Sequence, residues 1–365
     1  MVTFPVSSGG RSNWLTANGI ERADACYASR LMSALASPAS SPWLALRLIA
    51  ADIKLAHSIF ALPFAILATF LASPYAGYTP LEAQGLLRSW TDTQRFWGQL
   101  GLIVVCMVLA RTWAMLVNRL VDRDIDARNA RTQRRVFARG ALTVRQGWIA
   151  AGVCATGFIG VCGLFGVLFG NMWPLSLSVP VLAWIAFYSF TKRFTAWCHV
   201  FLGGALAVSP LAAVIAIEPA ALQALPVVWW LAGFVLLWVA GFDVMYALQD
   251  RDFDRANKLS SVPAKLGTRG AVWVSRVLHA MAMVALVMAW RSEARFGTLF
   301  LVALGAVAGL LIVEHAVVTK LARKSLAPNA DGSDNPPPAL NMAFFTLNGV
   351  VSCVVGALGV LEVFL

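Results

Sequence analysis

Two acidic phrases carry the chemistry available to this chain. Asp122-Arg-Asp-Ile-Asp126-Ala-Arg-Asn129 returns 128 residues later as Asp250-Arg-Asp-Phe-Asp254-Arg-Ala-Asn257. Seven of the 18 acidic residues lie in or just before the two copies, and each copy follows a long apolar run. Asn118, Asp122 and Asp126 stand four apart, a spacing that stacks them on one face of a helix. Asp250 and Asp254 repeat it, with Tyr246 and, roughly, Asp243 one and two turns earlier. Asp124 points elsewhere. Like charges at that spacing repel unless a cation sits between them. Magnesium takes a few carboxylates together with phosphate oxygens and water. Two facing clusters are therefore expected to hold Mg2+ ions that clamp a diphosphate and neutralise it as a leaving group.

Basic residues surround both clusters. Arg131, Arg134, Arg135 and Arg139 follow the first, Lys258 and Lys265 the second, and Lys192 and Arg193 come soon after Tyr188. Lys192, Arg131 and Arg135 are the strongest candidates for charge-assisted bonds to diphosphate oxygens. The plain alternative is a mixed-charge loop beside a membrane. It suits one copy, but two copies at matched positions weigh against it.

The elements that must position these residues are membrane helices. The chain has 365 residues, 59% hydrophobic and 13% charged, with a mean hydropathy of +0.71; soluble domains are about 25% charged. Nine apolar runs near 55–73, 97–117, 148–168, 172–190, 197–217, 225–247, 271–290, 297–318 and 341–364 have the length of bilayer spans. The expected fold is all-α, a polytopic bundle of about nine transmembrane helices around a central cavity. Residues 1–42 form a polar N-terminal segment without the apolar core of a signal peptide, and 43–365 form one membrane domain. Spans 2–5 and 6–9 are candidates for an internal repeat, each unit opening with an acidic cluster.

With the N-terminus in the cytoplasm, inside segments hold 23 of the 29 Lys and Arg and outside segments four. That asymmetry orients the bundle and puts both clusters on the cytoplasmic side. It also accounts for the net charge of +11 without nucleic acid. The six cysteines are scattered with no C-x-x-C pair, which reads as small core residues rather than a disulfide or zinc framework. Residues 327–339 are Pro- and Asn-rich and read as a loop. No Arg-rich, acid-free presequence is present, which favours a bacterial inner membrane.

At these residues the chain resembles the UbiA superfamily of intramembrane aromatic prenyltransferases. The family pattern N-x-x-x-D-x-x-x-D corresponds to Asn118, Asp122 and Asp126. Y-x-x-x-K-R corresponds to Tyr188, Lys192 and Arg193, and the later D-x-x-x-D, preceded by Y-A-x-x, to Tyr246, Asp250 and Asp254. The resemblance runs from about Leu46 to the C-terminus. It implies that Asn118, Asp122 and Asp126 bind one Mg2+ with the diphosphate, and Asp250 and Asp254 another. It further implies that Lys192 and Arg193 contact the diphosphate and that Tyr188 steadies a developing allylic cation through its ring face. Tyr188, Lys192, Asp126 and Asp254 would act in the chemical step, with Tyr246, Arg131 and Arg135 against the substrate. The prenyl tail would lie in an apolar groove open to lipid.

The stretch Lys54 to Phe64, the Lys192 to His199 segment and Asn341 to Asn348 resemble bacterial 4-hydroxybenzoate polyprenyltransferases. On that resemblance Arg47 and Lys54 are candidates for the acceptor carboxylate, His57 and His199 read as packed helix residues, and Pro63 is expected to kink the first helix. Two positions depart from the family pattern: Arg119, where many members carry Asp, and Val136, where the loop pattern R-T-x-x-R-P has proline. The expected partners are a polyprenyl diphosphate, an aromatic acid and the bilayer, and the expected activity is Mg-dependent prenyl transfer to 4-hydroxybenzoate for ubiquinone-type synthesis. A naphthoate acceptor, for menaquinone synthesis, is the near alternative. A divalent-cation transporter and a non-catalytic scaffold are the distant ones. The scarcity of acids along the spans speaks against the first, and the intact acidic motifs against the second.

Overall fold

The computed structural model describes residues 41–53, 60–75, 92–323 and 342–365, and every regular element among them is helical. The helices are α1 (Pro42–Ile53), α2 (Leu62–Ala72), α3 (Asp92–Val121), α4 (Arg123–Arg128), α5 (Val144–Phe169) and α6 (Trp173–Thr191). They continue as α7 (Cys198–Ile217), α8 (Pro226–Tyr246), α9 (Arg251–Ala256), α10 (Val262–Ser292), α11 (Thr298–Arg323) and α12 (Asn348–Phe364). Among the described residues eight helices are long and apolar enough to cross a bilayer, and α2 is a shorter apolar one. Inside a bilayer a helix satisfies its own backbone, which explains why these apolar runs take no other form.

Four prolines mark where helices begin, while Pro180 and Pro210 lie inside α6 and α7. Pro63, Pro174, Pro226 and Pro263 stand in the first turns of α2, α6, α8 and α10. There the missing N–H removes no helical bond and the fixed φ suits helix entry. Pro63 therefore opens α2 instead of kinking a helix across it. The start of α5 is fastened by a capping box: Gln146 N donates to Thr143 Oγ1 (3.1 Å), and Thr143 N donates to Gln146 Oε1 (2.8 Å).

Helix α8 is the hub, packed chiefly against α7 and α10. Trp238 lies fully buried in it, stacked on Phe234 (5.7 Å between centroids) and edge-on to Phe242 (5.3 Å). Phe60 and Phe64 close on the same indole from the segment around α2. Small residues let the helices approach. A side chain at Gly203 of α7 would run into the Leu236 carbonyl of α8, and one at Gly356 of α12 into Pro63. Helix α10 bends near its start, where Gly267 takes a positive φ of 67° that a side chain would resist.

Candidate active site

The two acidic phrases fold alike. Helix α3 ends at Val121, where the first phrase begins, whereas α8 ends at Tyr246 and a 3-10 turn (Ala247–Asp250) leads into the second. A six-residue helix then follows in each, α4 after Asp122 and α9 after Asp250. Asp122 (φ −92°, ψ 3°) and Asp250 (φ −100°, ψ 3°) sit at the two joints with nearly the same backbone. The expectation of one continuous helical face is corrected here, since each Asp occupies a break. Asp favours such boundaries because its side chain competes with helical hydrogen bonding. The four-residue steps persist locally, as Asp122 N donates to Asn118 O and Asp126 N to Asp122 O.

Residues of both phrases, among them Asp122, Asp126 and Asp250, line one cavity of about 560 Å³, together with Asn118, Arg131, Arg135, Tyr188, Lys192, Arg193 and Tyr246; Asp254 is fully buried and is not part of its lining. The sequence places these groups in three separate segments, and the tertiary fold interleaves them. Arg131 reaches from the loop after the first phrase to the second. Its Nε donates to Asp250 Oδ1 (2.9 Å), its Nη2 binds Asp250 Oδ2, and its Nη1 donates to Tyr246 OH (3.2 Å). Asn129 Nδ2 donates to the same Asp250 Oδ1 at 2.9 Å. Arg135 grips Asp126 at 2.7 and 2.8 Å. Arg193 Nη2 donates to Asp122 Oδ1 (2.8 Å), and Lys192 Nζ lies 2.8 Å from Asp254 Oδ1. Ser261 Oγ donates to Asp254 Oδ2 (2.8 Å). Every acid expected at a metal thus faces a cation expected at the diphosphate.

These pairs tune one another. Burial pushes the Asp122 carboxyl above its ordinary range, although the Arg193 guanidinium pulls it down. Burial draws the Lys192 ammonium down, but the Asp254 and Asp250 carboxylates outweigh it and hold the ammonium above its usual value. Arg131 is likewise held protonated by Asp250 against the effect of burial. Partly buried pairs of this kind are bound by mutual need more than by net gain, so a stronger ligand for either partner can separate them.

The donor set suits a hard divalent cation: amide and carboxylate oxygens, with neither sulfur nor imidazole among the expected ligands. Among the described residues no three His, Cys, Asp or Glu side chains converge on a single metal-sized point. The residues fit Mg2+ in the way that ion is ordinarily held, one or two carboxylates completed by phosphate oxygens and water. They do not form an all-protein cage.

A second, apolar chamber of about 310 Å³ adjoins the first, and Tyr188 and Arg111 line both. Arg111 lies inside α3, and its Nε is buried with no hydrogen-bond partner. Neither a motif nor an acidic neighbour marked it in the sequence. Its one signal was a lone arginine within an apolar span. Arg47 is exposed on α1 and does not line the cavity. Lys54 and His57 lie outside the described residues. His199 is buried: Val262 N donates to its Nε2 (3.4 Å), so its Nδ1–H donates to Asp243 Oδ2 at 2.7 Å.

The two departures from the family pattern meet at one carboxylate. Arg119 Nε donates to Asp52 Oδ2 (3.2 Å), and Val136 N donates to Asp52 Oδ1 (3.4 Å). A proline at 136 would have no N–H to give. Arg119 Nη1 also donates to Asn118 Oδ1 (3.2 Å), and Asn118 Nδ2 donates to Asp122 Oδ2 (3.0 Å). The loop closes without its proline because Asp52 on α1 holds it.

The chain is similar to known proteins in sequence and in fold. The model of the UbiA prenyltransferase family matches residues 85–330. A 4-hydroxybenzoate octaprenyltransferase of Nitrosomonas europaea is 31% identical over 221 residues, 60% of this chain and 72% of the relative. The apo structure of a UbiA homolog from Aeropyrum pernix superposes with a TM-score of 0.65 at 28% identity, covering 85% of this chain and 98% of that one. A UbiA homolog from Archaeoglobus fulgidus, solved with GPP and Mg2+, shares the fold at a TM-score of 0.52 and 17% identity over 86% of this chain and 99% of the other.

Proposed function

Because this chain belongs to the UbiA prenyltransferase family, and is a multi-pass membrane transferase, we propose that it moves a polyprenyl group from its diphosphate onto the ring of 4-hydroxybenzoate. One observation carries the reading: the charged cavity and an apolar chamber lie side by side and share a wall that includes Tyr188 and Arg111. The diphosphate, the reacting carbon and the first isoprene units then each have a place. The name of the Nitrosomonas europaea relative supports this acceptor. The ligands of the Archaeoglobus fulgidus homolog support a prenyl diphosphate and a divalent metal.

Asn118, Asp122 and Asp126 on one side, and Asp250 and Asp254 on the other, would hold Mg2+ against the diphosphate. The ion supplies positive charge to the leaving oxygens when bound. The chain's own residues do the rest. Lys192, Arg193, Arg131 and Arg135 leave their carboxylates for the diphosphate oxygens and stabilise charge as the C1–O bond breaks. Tyr188 sits where the two chambers meet and presents a ring to the developing allylic cation. The electron-rich ring of the acceptor attacks C1, forming a carbon–carbon bond. Diphosphate departs, and the attacked ring carbon loses its proton.

Arg111 joins Lys54 as a candidate for the acceptor carboxylate, in place of the exposed Arg47: an unpaired guanidinium beside both chambers suits a bidentate carboxylate. The Lys and Arg asymmetry supports a cytoplasmic site, and a bacterial inner membrane is the setting proposed.

The test is prenyl transfer in membranes containing this chain, given a polyprenyl diphosphate and Mg2+, with 4-hydroxybenzoate and dihydroxynaphthoates offered separately. Product from 4-hydroxybenzoate alone, absent in Asp122→Ala, is expected. Product only from a naphthoate would move the acceptor to the menaquinone series. Full activity in Asp122→Ala would overturn the metal assignment.

A further inference from the structure

Away from the catalytic cavity, α10 and α11 enclose a groove of about 740 Å³ on the bundle's outer surface. Its rim carries two exposed cations, Arg276 and Lys320, and no Asp or Glu lines it. Arg276 Nη2 makes a 3.4 Å hydrogen bond to Thr319 Oγ1 across the groove, and its guanidinium lies over the Trp273 ring. Among the described residues neither cation meets a carboxylate. Glu314, beside the groove in sequence, turns inward and accepts from Asn348 Nδ2 at 3.0 Å.

Below the cations lies a histidine pair whose protons can be placed by elimination. His279 Nε2 is 3.2 Å from the Trp238 carbonyl, which only accepts, so that nitrogen carries the proton. In the neutral ring Nδ1 is then an acceptor, and His315 Nε2–H donates to it across 3.0 Å. His315 Nδ1 is left with a lone pair and no partner. The groove thus offers two positive donors and a hydroxyl. Its flanks are apolar and outward-facing: Val277, Met281 and Ile312 are at least half exposed. Lys320 stands in the last turn of α11, and α10 starts beside Asp254 through Ser261, so the rim belongs to the membrane face that carries the acidic phrases.

We propose that this groove seats the headgroup of an anionic phospholipid from the leaflet on that face. The phosphate lies between Arg276 and Lys320, whose long stems reach from the apolar span to headgroup level. The acyl chains run down past Met281 and Ile312. Charge complementarity selects this occupant. Two cations that meet no carboxylate among the described residues, at a lipid-facing surface, suit a phosphate, whereas a neutral helix from a second copy would bring them no charge.

The test is native mass spectrometry of the full chain released from mixed micelles of phosphatidylglycerol and phosphatidylcholine. The expected result is preferential retention of phosphatidylglycerol, reduced at least fivefold in Arg276→Gln/Lys320→Gln and kept in Arg145→Gln/Arg269→Gln, which removes two exposed cations outside the groove. Equal retention by the groove variant and the wild type would overturn the proposal. So would equal losses in the two double variants, or a dimer whose dissociation is what releases lipid.

Discussion

At the scale of single residues, the site is a set of exchangeable ion pairs. Asp122, Asp126, Asp250 and Asp254 each hold a cation of this chain, and the diphosphate is proposed to take those cations over. Arg111 differs, because it has no carboxylate to leave. Arg111→Gln is expected to raise the KM for the aromatic acid about ten- to a hundredfold, the worth of a charged hydrogen bond. The KM for the prenyl diphosphate should stay near its original value, and steady-state kinetics with each substrate varied in turn separates the two. Asp52 is the second case. Arg119→Asp would set two carboxylates against each other and should lower stability by roughly 3 kcal/mol. Adding Asp52→Asn should recover most of that loss. Unfolding of the purified variants in detergent reads the coupling, and strictly additive effects would dissociate Asp52 from Arg119.

At the scale of elements, small residues decide how the charged segments are presented. Gly203 lets α7 lie against the Leu236 carbonyl of α8. The acidic phrase that follows α8 and the Lys192 segment that precedes α7 are thereby held close, with Ser260 N donating to Lys192 O at 2.8 Å. Gly203→Ala should lower stability by about 1–3 kcal/mol through overpacking, and Gly203→Val by more. The drop is read as a lower melting temperature in detergent, and an unchanged melting temperature for Gly203→Val would show that the helices can part without cost. Helix spans were legible because apolar runs of bilayer length have few other fates. The breaks at Asp122 and Asp250 were not, because the four-residue spacing suits one continuous helix as well as two joined by a turn.

At the scale of the whole molecule, the charged cavity is stable without metal because its acids are neutralised from within. Chelation of Mg2+ should abolish prenyl transfer and leave the melting temperature nearly unchanged. Restoring Mg2+ together with a prenyl diphosphate should raise it, since a ligand bound only to the folded state adds stability by mass action. Collapse of the fold on chelation would mean that the ion pairs do not substitute for metal.

The sequence by itself determined the class of this protein: a helical membrane bundle, two acidic phrases, and the Tyr188, Lys192 and Arg193 segment. Those features lie in residue type and short spacing, which hydropathy and charge chemistry read directly. Only the tertiary structure decided the partners. Arg131 lies 119 positions from Asp250 and Asp52 lies 67 from Arg119. No local rule says which loop covers which cluster, because that choice belongs to the packing of the helices between them. The same holds for Arg111 and for the His279–His315 pair, which become chemical groups only once apolar helices set them against a chamber or a groove.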